Sequence, residues 1–147
     1  MLPEELNLAW RKYKKRVFIY AWEYFTNRIH EESLRSVIDE SPFFFVEIKF
    51  DIIQKELQTG DERLKFWKAF FELLSTQKRG CDLCGFLDNN EGIALLFVDA
   101  KDNNPAWSRF CEEMLARTLI DMQKWEGIAY GKYPPEEFFT VNSGSQA

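Results

Sequence analysis

The stretch Arg79 to Val98, RGCDLCGFLDNNEGIALLFV, decides how this chain is read. Cys81 to Leu87 predicts one strand and Glu91 to Val98 a second, apolar and partly β-branched. Asp88, Asn89 and Asn90 between them carry the turn chemistry of a tight hairpin. A long helical segment enters this hairpin and another leaves it. That order puts the hairpin mid-domain, where a βαββαβ plait has its central pair of strands.

Upstream of the hairpin, Glu62, Leu64, Phe66, Trp67, Phe70, Phe71 and Leu74 predict a helix with a wide apolar stripe, ending before Gly80. Lys55 to Asp61 reads as the polar connection before it. FFFVEIKFDII predicts a strand from Phe43 to Ile53 in which Glu47, Lys49 and Asp51 share one face near the carboxyl end, a place where ligands sit in open α/β sheets. Ser41-Pro42 separates this strand from what precedes it, because a residue before proline is pushed out of the helical region.

The first segment, from about Glu4 to Glu40, holds no Pro or Gly and repeats apolar residues at helical spacing from Leu8 through Trp10, Val17, Trp22, Phe25 and Ile29 to Ile38. It predicts one long helix, or two joined near Thr26-Asn27, opened by Pro3 and two glutamates. Downstream of the hairpin, Asn104-Pro105 begins a helix that Trp107, Phe110, Cys111, Met114, Leu115 and Leu119 carry onto the sheet. Trp125 to Tyr130 predicts a last strand, and Pro134-Pro135 stops regular structure. The tail VNSGSQA has the composition of a frayed end.

The 147 residues suit one domain, with a helical segment over about 4–40, the plait over about 42–131 and a tail over 132–147. Aromatics make up 16% of the chain, fourteen of them Phe, so the core is bulky. The formal charge of -5 argues against nucleic acid as a general partner, because phosphate binding needs a basic footprint. The basic run Arg11 to Arg16 reads as a solvated helix face, with membrane or nucleic-acid contact as the other reading. No apolar run is long enough to insert in a bilayer and no signal peptide is visible, so a cytoplasmic location is expected. Three cysteines, an odd number, agree with a reducing compartment.

Cys81 and Cys84 form a CxxC, but residues three apart on a strand point to opposite faces, so no metal site or cofactor is expected there. A structural zinc needs four ligands, and Cys111 and His30 are the only soft additions available. His30, amid Glu31 and Glu32, reads as a surface residue. No Ser-His-Asp set and no phosphate loop of the GxxxxGK[ST] type occurs.

The residues now in view resemble a family. Asn27-Arg28, the strand VEIKFD, RGCD before the hairpin and DNNEGIALLF within it correspond in position to motifs of the GGDEF (diguanylate-cyclase) domain, over roughly residues 20–131. The resemblance implies an α+β plait: a ferredoxin-like antiparallel sheet of the nucleotidyl-cyclase type with packed helices, here with an extra amino-terminal helix. Only Arg-x-x-Asp is intact among the motifs, and the family's last helix has no counterpart after Tyr130. Gly60-Asp61 resembles the family's guanine-recognising Gly-Asp, about three residues early.

Diguanylate cyclases condense two GTP around Mg²⁺ held by an acid of the first strand and an acid of the hairpin. Here those positions are Glu47 and Asn90. Lys49 stands where the family has a second Asp, and Asp88 and Asn89 replace the two glycines that let backbone N–H groups approach phosphate. Glu91 keeps the family's second acid. One carboxylate beside an ammonium is a poor seat for a dication, so an inactive domain is expected rather than an enzyme, with no metal at this site.

Arg79 and Asp82 match the family's inhibitory site for cyclic di-GMP, with Arg109 beside the position of a third contact. The plain reading of the same pair is a basic helix end and its solvated neighbour. The expectation is therefore a regulatory or interaction domain, binding cyclic di-GMP through Arg79, Asp82 and Arg109 or binding only protein, as a homodimer or with a partner. The amino-terminal helix, rich in Trp and Tyr, is the candidate surface for that contact. The alternative is a divergent cyclase or other Mg²⁺-dependent nucleotide enzyme using Glu47 and Glu91.

Overall fold

The structure is a computed structural model that describes residues 2–39, 43–76, 83–98 and 105–133. Two helices, α1 (Glu4–Tyr13) and α2 (Trp22–Asp39), precede the first strand, β1 (Phe43–Lys49). A short helix α3 (Phe50–Glu56) and the long α4 (Gly60–Thr76) lead to β2 (Leu83–Phe86) and β3 (Gly92–Val98). Helix α5 (Pro105–Thr118) and β4 (Ala129–Tyr133) complete the described chain. The four strands lie in the order β2-β3-β1-β4, with every neighbouring pair antiparallel. The molecule is thus α+β, as the pattern of elements predicts.

Strand alternation sorts the side chains onto two faces. Phe44, Val46 and Ile48 of β1, Ile93, Leu95 and Phe97 of β3, and Cys84 and Phe86 of β2 join one core with the inward residues of α1, α4 and α5. At the centre of this core, Trp67 lies 5.0–6.0 Å, centroid to centroid, from the rings of Phe50, Phe66, Phe70 and Phe71. Phe45, Leu83, Leu87, Ala94 and Leu96 face the other way and meet Phe25 and Ile29, one turn apart on α2.

Several elements depart from the sequence expectation, for reasons of packing, capping or edge pairing. The break between the first two helices falls at residues 14–21, not near Thr26-Asn27. Val17 and Ile19 are buried there, and Tyr20 lies extended along the outer edge of β2, accepting from Phe86 N–H at 2.9 Å and donating to Cys84 O at 3.0 Å. A tertiary strand edge has taken up backbone groups that a continuous helix would have used internally. The chain thereby passes over the sheet edge, from α1 on one face to α2 on the other.

Strand β1 stops at Lys49 rather than Ile53. Phe50 and Ile53, three apart, are both buried in the large core, which a helical turn allows and a strand does not. Asp51 therefore leaves the face that Glu47 and Lys49 share. Helix α4 begins at Gly60, because Thr59 accepts from Glu62 N–H at 3.1 Å and bonds its carboxylate at 3.0 Å, a reciprocal cap. The expected polar connection shrinks accordingly.

Trp107, Phe110, Cys111 and Met114 are buried as predicted, but Leu115 and Leu119 are exposed. Helix α5 ends at Thr118, where Leu119 turns left-handed with φ 63°, so the chain leaves the helix before Leu119 can point inward. The last strand is Ala129–Tyr133, not Trp125–Tyr130; Trp125 instead packs its ring 5.5 Å from Phe66.

The amino-terminal aromatics divide: those of α1 are largely absorbed into the core, whereas Phe18 and, on α2, Tyr24 are exposed. Leu6, Ala9 and Tyr13 of α1 are buried, while Trp10 stacks on Phe71 at 6.5 Å and donates from Nε1 to Val17 O at 2.9 Å. Leu8 and Ile38, the two ends of the periodic apolar run named above, are exposed, as is Leu34 between them.

Candidate functional site

The carboxyl end of β1 and the β2–β3 connection meet at one end of the sheet. Lys49 pairs with Gly92 in register, and Phe50 N–H donates to Glu91 O at 2.9 Å. The connection runs from Leu87 to Glu91, wider than a two-residue hairpin. Leu87 N–H donates to Gly92 O at 2.9 Å, Asn90 N–H to Leu87 O at 3.0 Å and Glu91 N–H to Asp88 O at 3.3 Å. Asn89 and Asn90 both adopt left-handed backbone, φ 58° and 55°, a conformation asparagine tolerates better than most residues. Asp88, Asn89, Asn90 and Glu91 are all exposed.

Gly92 is the residue at this site that sequence reasoning missed. A Cβ there would stand 2.3 Å from Ile48 O and 2.8 Å from Lys49 Cα, so its absence lets β1 and β3 close on each other just where the connection begins. A glycine inside an otherwise apolar strand was the available signal.

Glu47 lies on the α2 face of the sheet, two residues before Lys49, in register with Ala94 on one side and Ala129 on the other. It is half-buried, and loss of water raises its carboxyl above the ordinary carboxylate range, with the Lys49 ammonium pulling the other way. Lys49 itself is exposed. Burial thus makes the ionised form of Glu47 costlier than in open water, which weakens it as a seat for a hard cation.

The resemblance implies Mg²⁺ at Glu47 and the hairpin position now held by Asn90. The side chains present do not fit that ion. Glu47 has its ionised form disfavoured and a cationic neighbour, and Asn90 contributes no charge. Among the described residues, no three His, Cys, Asp or Glu side chains come together as a metal-binding group.

Helix α2 also packs against the Asp88–Asn90 turn, so the Asn27-Arg28 pair is on an element that touches the tip. Asn27 is exposed. Arg28 lies 3.6 Å from Glu31 through Nη1, while its Nε is buried without a hydrogen-bond partner. Sequence matching singled out the pair, but the position of its helix across the sheet from α4 is a tertiary result.

Of the residues proposed for cyclic di-GMP, Arg109 is exposed on α5, and Arg79 and Asp82 lie outside the described residues, as does Cys81. Cys84 and Cys111 are buried free thiols of the large core, and burial with Asp121 and Glu112 nearby pushes the Cys111 thiol up to about 12. His30 is exposed, where the sequence put it. Gly60 and Asp61 form the exposed first turn of α4.

A concavity of about 520 Å³ lies between α4 and α5, lined by Asp61, Lys65, Lys68 and Arg117 among others. Its cations are partly neutralised, since Arg117 bonds Glu72 at 2.7 Å. No helix among the described residues is long and apolar enough to cross a membrane. No protein-family model, no curated protein and no solved structure matches this chain.

Proposed function

We propose that the chain is a degenerate GGDEF-like domain that has lost cyclase chemistry and acts as a regulatory or interaction module in the cytoplasm. Its strand order, β2-β3-β1-β4 with antiparallel neighbours, is the order a ferredoxin-like βαββαβ plait produces when α4 and α5 serve as the two crossovers. On this reading α1 and α2 are additions ahead of the plait.

The observation that carries the proposal is the chemistry at the end of β1. A cyclase needs dense negative charge there to hold a cation against triphosphate. This chain offers a desolvated Glu47, the Lys49 ammonium on the same face and a neutral Asn90 in the connecting turn. Asp88, exposed where the family has glycine, adds repulsion toward phosphate.

Incubation with GTP and Mg²⁺ is expected to give no cyclic or condensed nucleotide. Product that disappears in Glu47→Ala overturns the inactive reading in favour of a divergent nucleotide enzyme. The sensor form of the proposal uses Arg79, Asp82 and Arg109 for cyclic di-GMP. Calorimetry should then show heat with the wild type that Arg79→Ala abolishes; no heat with the wild type removes the sensor and leaves protein binding.

A further inference from the structure

Five of the six residues from Arg11 to Arg16 are cations, and all five are exposed while Tyr13 between them is buried. The dipole of α1 accounts for Arg11 and Lys12 in its last turn. It does not account for Lys14, Lys15 and Arg16, which lie in the turn beyond the helix. Among the described residues, the ion pairs engage Arg28, Arg35, Arg63 and Arg117, and none of these five. Lys12 and Lys14 instead lie over the rings of Tyr13 and Trp10, at 5.6 and 5.1 Å.

Aromatic side chains continue the patch. Phe18 is 65% exposed and meets Tyr20 edge-on at 4.6 Å; Tyr20 stacks on Tyr24, itself 52% exposed, at 4.6 Å. The two backbone bonds from Tyr20 to β2 fix this group to the sheet edge. The result is a corner at which five cations, none in an ion pair among the described residues, stand beside two exposed rings, on a chain whose net charge is -5.

We propose that this corner docks on an anionic lipid bilayer, with the cations among the headgroups and Phe18 and Tyr24 at interfacial depth. The contact is peripheral and requires no inserted segment. Two features favour a bilayer over single-stranded nucleic acid. A strand is held in a groove with ring faces open to its bases, whereas Tyr20 and Tyr24 each spend one ring face on the other. Arg16 borders a shallow recess of about 210 Å³ together with Phe18 and Tyr20, while the other four cations sit on the end of a helix and the turn that follows it. An array of that kind fits a surface better than it encloses a ligand. The proposal is independent of the cyclase-like reading.

Cosedimentation of the full chain with vesicles tests it. Binding is expected to phosphatidylcholine vesicles containing about one third phosphatidylserine, to weaken as salt rises, and to be absent with phosphatidylcholine alone. With roughly fivefold in affinity per cation, the triple variant Lys14→Glu, Lys15→Glu, Arg16→Glu should lose at least about a hundredfold. Phe18→Ser should lose several-fold. The control Lys55→Glu, Lys65→Glu, Lys68→Glu changes net charge equally at exposed positions elsewhere and should bind as the wild type does. No wild-type binding to the anionic vesicles at low salt overturns the proposal. So does an equal loss in the control, or tighter binding to a single-stranded oligonucleotide than to vesicles.

Discussion

On one face of the sheet, α1, α4 and α5 close over Val46, Ile48, Ile93 and Leu95 with Phe66, Trp67, Phe70, Phe71 and Phe110 all essentially inaccessible. On the other face, α2 contributes Phe25 and Ile29 to a core of far fewer residues, and the same strand that supplies Phe45 to it goes on to Glu47 and Lys49. Strand β1 thus carries apolar side chains along the whole of one face and turns polar at the end of the other. A face that must hold three helices has no room for a carboxylate. A face covered by one helix keeps enough access to water to retain one.

The largest test of this contrast is Trp67→Ala. Removing a ring enclosed by four others should cost about 3–5 kcal/mol, read by urea denaturation. A loss below about 1 kcal/mol would mean that the aromatic face is not what holds the fold together.

On the α2 face the sensitive point is Gly85, where an added Cβ would stand 2.3–2.8 Å from atoms of Phe25. Gly85→Ala should cost about 1–3 kcal/mol by overpacking, and part of that cost should vanish when Phe25→Leu is added. Strict additivity of the two substitutions would show that α2 is not seated on β2 through this contact.

The smallest effect is expected at Glu47 and depends on pH. Burial raises its folded pKa, so the folded state holds this proton more firmly than the unfolded chain does. Stability from this group is therefore present below the unfolded carboxylate value and is lost as pH rises through the folded value. Thermal unfolding of Glu47→Gln should match the wild type near pH 4 and exceed it modestly at pH 7. Identical pH profiles would indicate that Glu47 is as well solvated as a surface carboxylate.

The helical stripe of α4 and the alternation in β1 up to Lys49 were plain in the sequence, because each is a local period set by backbone geometry. The start of α5 at Pro105 was plain too, from the fixed φ of a proline that suits a helix's first position. The ends of elements were less so. Phe50 to Ile53 reads as strand by propensity, yet the pocket around Trp67 draws Phe50 and Ile53 to one side and makes a helix. The break after Tyr13 was hidden as well, because Val17 and Ile19 also satisfy a helical spacing. Only the unpaired edge of β2 distinguishes the two outcomes.

At the candidate site, residue types were legible and environments were not. Sequence alone supplied Glu47, Lys49, Asn90 and Glu91 as neighbours in a pattern, and the left-handed tip was implicit in its two asparagines. That Glu47 is half-buried between register positions filled by alanine, and that Gly92 is needed where β1 meets β3, follow from strand pairing across more than forty residues of chain.

The sequence by itself determined that this is an α+β chain, where α4, the body of β1 and the start of α5 lie, and which charged side chains stand near the hairpin. The tertiary structure decided the strand order, the passage of residues 14–21 over the sheet edge, and which face is sealed and which admits a carboxylate. The physical reason is range. Periodicity and turn chemistry act over a few residues, whereas burial, register and edge pairing exist only once distant segments share a surface.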